Sequence, residues 1–153
     1  MKKIINPLAA LLVIAADQIT KYLVRANMAP GDRIPILGNW LSIYYVQNTG
    51  TAFSMFAGNK FVTIALTSVL IIICIGFAVS EARSNHSLTA LLLTLIAAGG
   101  ASNMIDRVKL GFVTDMISCG NFAVFNVADI FVTCSCILMA LLVFFMYKNG
   151  EED

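Results

Sequence analysis

The sequence is short of charge and almost without histidine, and each shortage excludes functions. Of its 153 residues only 12% are Asp, Glu, Lys or Arg, about half the roughly 25% usual in soluble domains. Hydrophobic residues make up 59% and the mean hydropathy is +0.84. A chain of this length has too much surface to cover with so few charges if water surrounds it. It is read as a single-domain integral membrane protein. The net charge of +1, with no basic stripe, argues against a nucleic-acid partner. The one histidine, His86, removes most His-based zinc sites and leaves a Ser-His-Asp triad dependent on a single side chain. Cys74, Cys119, Cys134 and Cys136 form no C-x-x-C pair. Three of them fall in apolar runs, where buried, inert thiols are expected.

A spanning helix needs about 20 mostly apolar residues. Four windows qualify, approximately 4–24, 61–79, 87–105 and 125–147. The first, after Met1-Lys2-Lys3, mimics a secretory signal. Its apolar character resumes at Ile19, Tyr22, Leu23 and Val24, so it is read as a retained helix. Region 26–59 is different in kind. Ala29-Pro30-Gly31-Asp32 and Gly38-Asn39 are turn clusters, and Arg33–Leu37 and Trp40–Val46 have the Ile, Tyr and Val of short strands. A small β structure at the membrane surface is expected there. Lys and Arg divide almost evenly between the two sides, so charge alone leaves the orientation open.

Ionisable groups within a bilayer cost from about 3 kcal/mol upward, which makes them functional by default. Four helices bring the end of the first, the start of the second, the end of the third and the start of the fourth to one side. That side collects Asp17, Gln18, Thr20, Lys21, Asn103, Asp106, Arg107, Asp115, Asn126 and Asp129. The other side has Glu81, Arg83, His86 and the acidic tail. Asp17 and Lys21, at i and i+4, read as a structural ion pair, and Asp106 with Arg107 as a boundary pair. Asn126 reads as a helper, either a helix–helix hydrogen bond or a group that orients Asp129. With a helix starting near residue 123, Asp129 would sit on the order of 9 Å along it. Asp115 and Asp129 have no obvious local cation. Two readings are open for them: a dyad that shares one proton and activates water, or a proton relay. Gly99-Gly100-Ala101-Ser102 is a small-residue patch that permits close helix approach or substrate passage, and helix packing is the simpler reading. In Asn48-Thr49-Gly50-Thr51-Ala52-Phe53 the glycine suggests a tight turn, compatible with a loop that cradles substrate.

Five segments in order, Asp17-Gln18-Ile19-Thr20-Lys21, Asn48 to Phe53, Asn103-Met104-Ile105-Asp106-Arg107, Val113-Thr114-Asp115 and Phe125-Asn126-Val127-Ala128-Asp129, resemble the motif set of bacterial lipoprotein signal peptidase (signal peptidase II). The resemblance covers nearly the whole chain. It implies an α-helical membrane protein with four transmembrane helices and a small extracytoplasmic β cradle between helices 1 and 2. It further implies an aspartic endopeptidase of the bacterial inner membrane, with both termini cytoplasmic and the active site near the outer leaflet. Such enzymes remove the signal peptide of prolipoproteins before a cysteine carrying diacylglycerol. The partners would be lipid-modified prolipoproteins and the phospholipid bilayer, with no metal or organic cofactor; a monomer is expected.

Carried over by position, the resemblance makes Asp115 and Asp129 the catalytic dyad. Asn48, Gly50, Asn103, Arg107 and Asn126 would contact substrate or line the site, and Asp17, Lys21 and Asp106 would support it. Ser102 stands where the family usually has glycine, Met116 where an aromatic is common, and the rim 116–124 is short. The rival from another class is a small proton-coupled transporter or channel subunit using the same aspartates. The one-sided placement of the polar residues opposes it, because a relay needs polar groups through the full depth.

Overall fold

A computed structural model describes residues 2–38, 40–50, 60–120 and 123–150. Four long helices dominate: α1 (Lys2–Asn27), α2 (Lys60–Arg83), α3 (Ser87–Leu110) and α4 (Val127–Gly150). Each contains a stretch long and apolar enough to cross a membrane. The chain is a multi-pass membrane protein. Helix α3 is the centre of the bundle and packs against the other three. Its sequence explains why, since Ala90, Ala97, Ala98, Gly99 and Ser102 are all buried and small side chains let neighbouring backbones approach. By contrast α2 and α4 are apolar all round, and residues such as Ile72, Phe77, Val143 and Phe144 lie exposed on the bundle's outer surface. A bilayer solvates such a surface as well as another helix would.

Four strands form one antiparallel sheet in the order β1 (Arg33–Leu37), β2 (Leu41–Asn48), β3 (Val113–Cys119), β4 (Val124–Phe125). The first two fall in the region read as β from sequence. The second two do not: they lie between the third and fourth expected helices and at the edge of the fourth window, where no strand is expected. Strand β3 is short and is buried from Val113 through Met116, so it lacks the polar–apolar alternation that marks a half-buried strand. Helix α3 also runs past the expected end at residue 105. It stops at Gly111, whose φ of 87° suits the left-handed C-cap and whose N–H donates to the Arg107 carbonyl at 3.2 Å. That turn delivers the chain directly into β3.

Two further expectations are corrected. Helix α4 begins at Val127 rather than near 123, so Asp129 lies in its first turn, not well along it. All four cysteines are free, but none is fully buried, and Cys134 and Cys136 are exposed. The outward face of α4 needs no interior partner when lipid covers it.

The glycine patch on α3 serves close packing. A Cβ at Gly99 would come within 2.5 Å of Val132 Cγ2 and 2.8 Å of the Ala128 carbonyl oxygen, whereas one at Gly100 would meet Ile71 Cγ1 at 3.3 Å. Gly99 therefore sets how near the first turn of α4 lies to α3. Gly99→Ala is expected to lower stability by about 1–3 kcal/mol through overpacking, and Gly100→Ala by distinctly less. Thermal unfolding of the two variants in detergent checks this; equal melting temperatures would contradict the assignment.

Candidate active site

The polar face of α1 is a stripe at four-residue spacing, Asp17, Lys21 and Arg25, and the first two are completely buried. Lys21 Nζ donates to Asn103 Oδ1 at 2.7 Å and pairs with Asp17 Oδ2 at 2.7 Å and Asp106 Oδ2 at 3.5 Å. Asp17 in turn accepts from the Ser102 hydroxyl at 2.7 Å and from the Ala128 backbone N–H at 2.9 Å. The second of these occupies one of the free N–H groups at the start of α4. One buried ion pair thus fastens α1 to both α3 and α4. Ser102, noted above as a departure from the family pattern, earns its place as a donor to Asp17.

Asp106 is 1% exposed and faces α1. It accepts from Gln18 Nε2 at 3.2 Å and from the Thr114 backbone N–H at 3.0 Å, with Arg25 Nη1 3.7 Å away. Its cations are Lys21 and Arg25, not the adjacent Arg107 expected from sequence. Successive helical residues point in different directions, so Asp106 meets α1 while Arg107 turns aside. Among the described residues no ion pair includes Arg107, yet its charge acts on Asp129, Asp115 and Asp106.

Asp129 and Asn126 cap the start of α4 reciprocally. The Asp129 N–H donates to Asn126 Oδ1 at 2.9 Å and the Asn126 N–H to Asp129 Oδ2 at 3.3 Å, the arrangement of a capping box. The other oxygen of Asp129 accepts from Asn103 Nδ2 at 2.7 Å. Asp115, on β3 and 2% exposed, accepts from Asn48 Nδ2 at 2.9 Å on Oδ2 and from Asn126 Nδ2 at 2.6 Å on Oδ1. Asn126 therefore touches both carboxylates, one through its side chain and one through its backbone.

The amide orientations follow from their partners. Asn48 Oδ1 accepts the Gly50 N–H at 2.9 Å, Asn126 Oδ1 accepts the Asp129 N–H, and Asn103 Oδ1 accepts from Lys21 and from Asn126. Each oxygen is held by a donor, so each NH2 must turn toward a carboxylate. Gly50, with φ of +96°, makes the turn that brings its N–H to Asn48. Thr51 to Phe53 lie outside the described residues.

Burial is the main influence on Asp115 and pushes its carboxyl up to about 6; the Asn48 and Asn126 donors oppose that rise, Asp129 adds to it, and Lys21 opposes it. Among the described residues neither Asp115 nor Asp129 has a cation within ion-pair distance, and no three His, Cys, Asp or Glu side chains gather as a metal site requires. An apolar groove of about 460 Å³ between α1, α2 and α3, lined by Ile71, Ala97 and Ala98 among others, contains none of these carboxylates.

Residues 9–145 match the family described as Signal peptidase (SPase) II. The chain belongs to the signal peptidase II family. It is 36% identical over 132 residues to a lipoprotein signal peptidase of Moorella thermoacetica, covering 86% of this chain and 87% of that one. It is also 36% identical over 154 residues to a lipoprotein signal peptidase of Streptococcus thermophilus, covering 99% of each. The fold resembles a bacterial membrane enzyme solved by the in meso method at 2.3 Å resolution, with a TM-score of 0.88, 29% identity, and coverage of 97% of this chain and 92% of that one. A second, solved at 1.9 Å, gives a TM-score of 0.83 at 30% identity and covers 90% and 91%.

In this member of the signal peptidase II family, the residues singled out from sequence form one bonded network, with Gly50 joined through Asn48 and Arg107 by charge alone. Arg25 and Thr114 were missed. Arg25 could have been found, since it continues the spacing of Asp17 and Lys21; Thr114 carried no signal beyond standing next to Asp115. Removing one member of a buried ionic cluster costs about 3–5 kcal/mol, and Asp106→Asn is expected to lose stability on the low side of that range, measured by unfolding in detergent. Unchanged stability would contradict its structural role. Asp115 contributes with the opposite sign. Its folded-state pKa is raised, so stability present at acid pH is lost as pH rises toward and through about 6. Asp115→Asn should therefore gain stability relative to the parent between acid and neutral pH; a pH-independent difference would contradict the buried-carboxyl assignment.

Proposed function

We propose that the chain removes signal peptides from prolipoproteins as an aspartic endopeptidase, cleaving before the diacylglyceryl-modified cysteine, with Asp115 and Asp129 as the catalytic dyad. The observation that carries this reading is the joining of the two carboxylates through Asn126. They come from different elements, β3 and α4, and each is met by amide donors rather than by a cation. Two neighbouring carboxyl groups that cannot both ionise cheaply share a proton.

In the proposed mechanism, the dyad holds a water against the scissile carbonyl. The ionised carboxylate takes the water's proton while the protonated one gives its proton to the carbonyl oxygen, forming a gem-diol. The carboxyl that took the water's proton then gives it to the leaving amine while the other carboxylate takes a proton from one gem-diol hydroxyl, so the C–N bond breaks, a carboxylic acid is released and one proton again remains on the dyad. Arg107, whose charge acts on both aspartates, limits the charge that builds up around the dyad. Asn48, Gly50, Asn103 and Asn126 hold the carboxylates in place and line the substrate's approach. The active site lies at the outer leaflet with both termini cytoplasmic, the modified cysteine arrives from the bilayer, and a single copy suffices.

The transporter reading has less support. The other end of the bundle offers the exposed His86–Glu81 pair, at 2.7 Å, and the described residues hold no chain of ionisable groups between the two ends.

A gel-shift assay with a synthetic prolipoprotein, with and without its diacylglyceryl group, tests the proposal. Cleavage of the lipidated form alone is expected, and its loss in both Asp115→Asn and Asp129→Asn while the variants remain folded. Turnover by either variant would sink the dyad.

A further inference from the structure

The mechanism uses the face of β3 that carries Asp115, and the residue beside it is held from behind. Thr114 is completely buried. Neighbouring residues of a strand point to opposite sides, so the Thr114 side chain leaves β3 away from Asp115. There its hydroxyl accepts from Arg25 Nη1 at 2.9 Å. Its backbone N–H donates to Asp106 Oδ2 at 3.0 Å, and the same oxygen lies 3.7 Å from Arg25 Nη1. Arg25, Asp106 and Thr114 close a triangle that joins α1, α3 and β3 one residue from the carboxylate.

The sheet does not fix this point alone. Strand β2 pairs with β3 in two stretches, Leu41 to Ile43 opposite Cys119 to Ile117 and Val46 to Asn48 opposite Asp115 to Val113, with a register irregularity between them. Asp115 stands at the edge of that irregularity, opposite Val46. A ladder is locally disrupted at such an irregularity, so the contacts from α1 and α3 add restraint where the sheet offers less.

We propose that Arg25 and Thr114 are positioning residues for Asp115: the Arg25–Thr114 hydrogen bond, anchored on Asp106, sets the placement of β3 against the helices and so aims the Asp115 carboxylate at the reacting water. The inference rests on the dyad reading above and deepens it. Neither residue meets the other carboxylate, so their effect is on placement at one half of the dyad.

The test is steady-state cleavage of a diacylglyceryl prolipoprotein peptide by purified Thr114→Val, Thr114→Ser, Arg25→Gln and the Arg25→Gln/Thr114→Val double variant, with Asp115→Asn alongside. A misplacement of a fraction of an ångström is expected to lower kcat by about 10-fold in Thr114→Val and in Arg25→Gln, with KM within about twofold of the parent. The double variant should be no worse than the weaker single one, because both remove the same bond. Thr114→Ser, which keeps the hydroxyl, should restore kcat. Unchanged kcat in both single variants, a rise in KM alone, or a Thr114→Ser variant as slow as Thr114→Val would overturn the proposal. Arg25 is a quarter exposed and its truncation opens no sealed cavity, so Arg25→Gln decides the matter if Thr114→Val fails to fold. An inactive Asp115→Asn beside a normal Arg25→Gln defeats this proposal only. An active Asp115→Asn defeats the dyad and the proposal together.

Discussion

A lysine ammonium with no access to water is the constraint on which the rest of this structure depends. Lys21 cannot be buried alone at tolerable cost, so its charge must be met from several sides. Asp17 and Asp106 supply the counter-charge and Asn103 supplies a carbonyl oxygen. These partners belong to α1 and α3, and through Asp17 the cluster extends to the first turn of α4. The small residues of α3 make the same demand from the apolar side, since Gly99 admits α4 to backbone distance. Ionic and steric requirements thus agree on one placement of the helix ends.

The chemistry of the site follows from that placement. Once Asn103 gives its oxygen to Lys21, its NH2 faces Asp129; once Asn126 gives its oxygen to the start of α4, its NH2 faces Asp115. Backbone N–H groups and one ammonium thereby fix the direction of the side-chain amides around both candidate catalytic carboxylates. A preorganised surround of this kind does not need to rearrange when charge shifts between the two groups. The network also separates roles among four aspartates in one small volume. Asp17 and Asp106 are matched with cations, while Asp115 and Asp129 are met by amides. The two pairs carry the same functional group and differ in their neighbours, and on the proposed reading that difference separates a structural pair from a proton-transferring one.

Much of this was legible in the sequence, for identifiable reasons. Long apolar runs are the strongest signal a chain carries, and an aspartate or lysine inside one is conspicuous; Asp17, Lys21, Asp106 and Asp129 were visible on those grounds. The strand pair β1–β2 was marked by its turn clusters. Strand β3 was not, because burial on both faces erased its alternation, and with it went the view of Thr114. Asp106 pairs with Lys21 and Arg25 rather than with its neighbour Arg107, because adjacency along a helix is not adjacency in space. Helix α4 starts later than its apolar run suggests, because that run begins before the cap. Ser102 departs from the family pattern, and its use, a hydroxyl donated to Asp17, shows only in the fold. In each case the missing information was long-range: which element lies opposite a given side chain.

The central claim is that the dyad, and not the structural aspartates, carries the site's exchangeable proton. Isotope-edited infrared spectroscopy of the purified protein with carbon-13 aspartate, recorded just below the Asp115 titration at about 6, tests it most directly. A protonated carboxyl band that disappears in Asp115→Asn and persists in Asp106→Asn is the predicted result. A band that survives in Asp115→Asn and vanishes in Asp106→Asn would contradict the account.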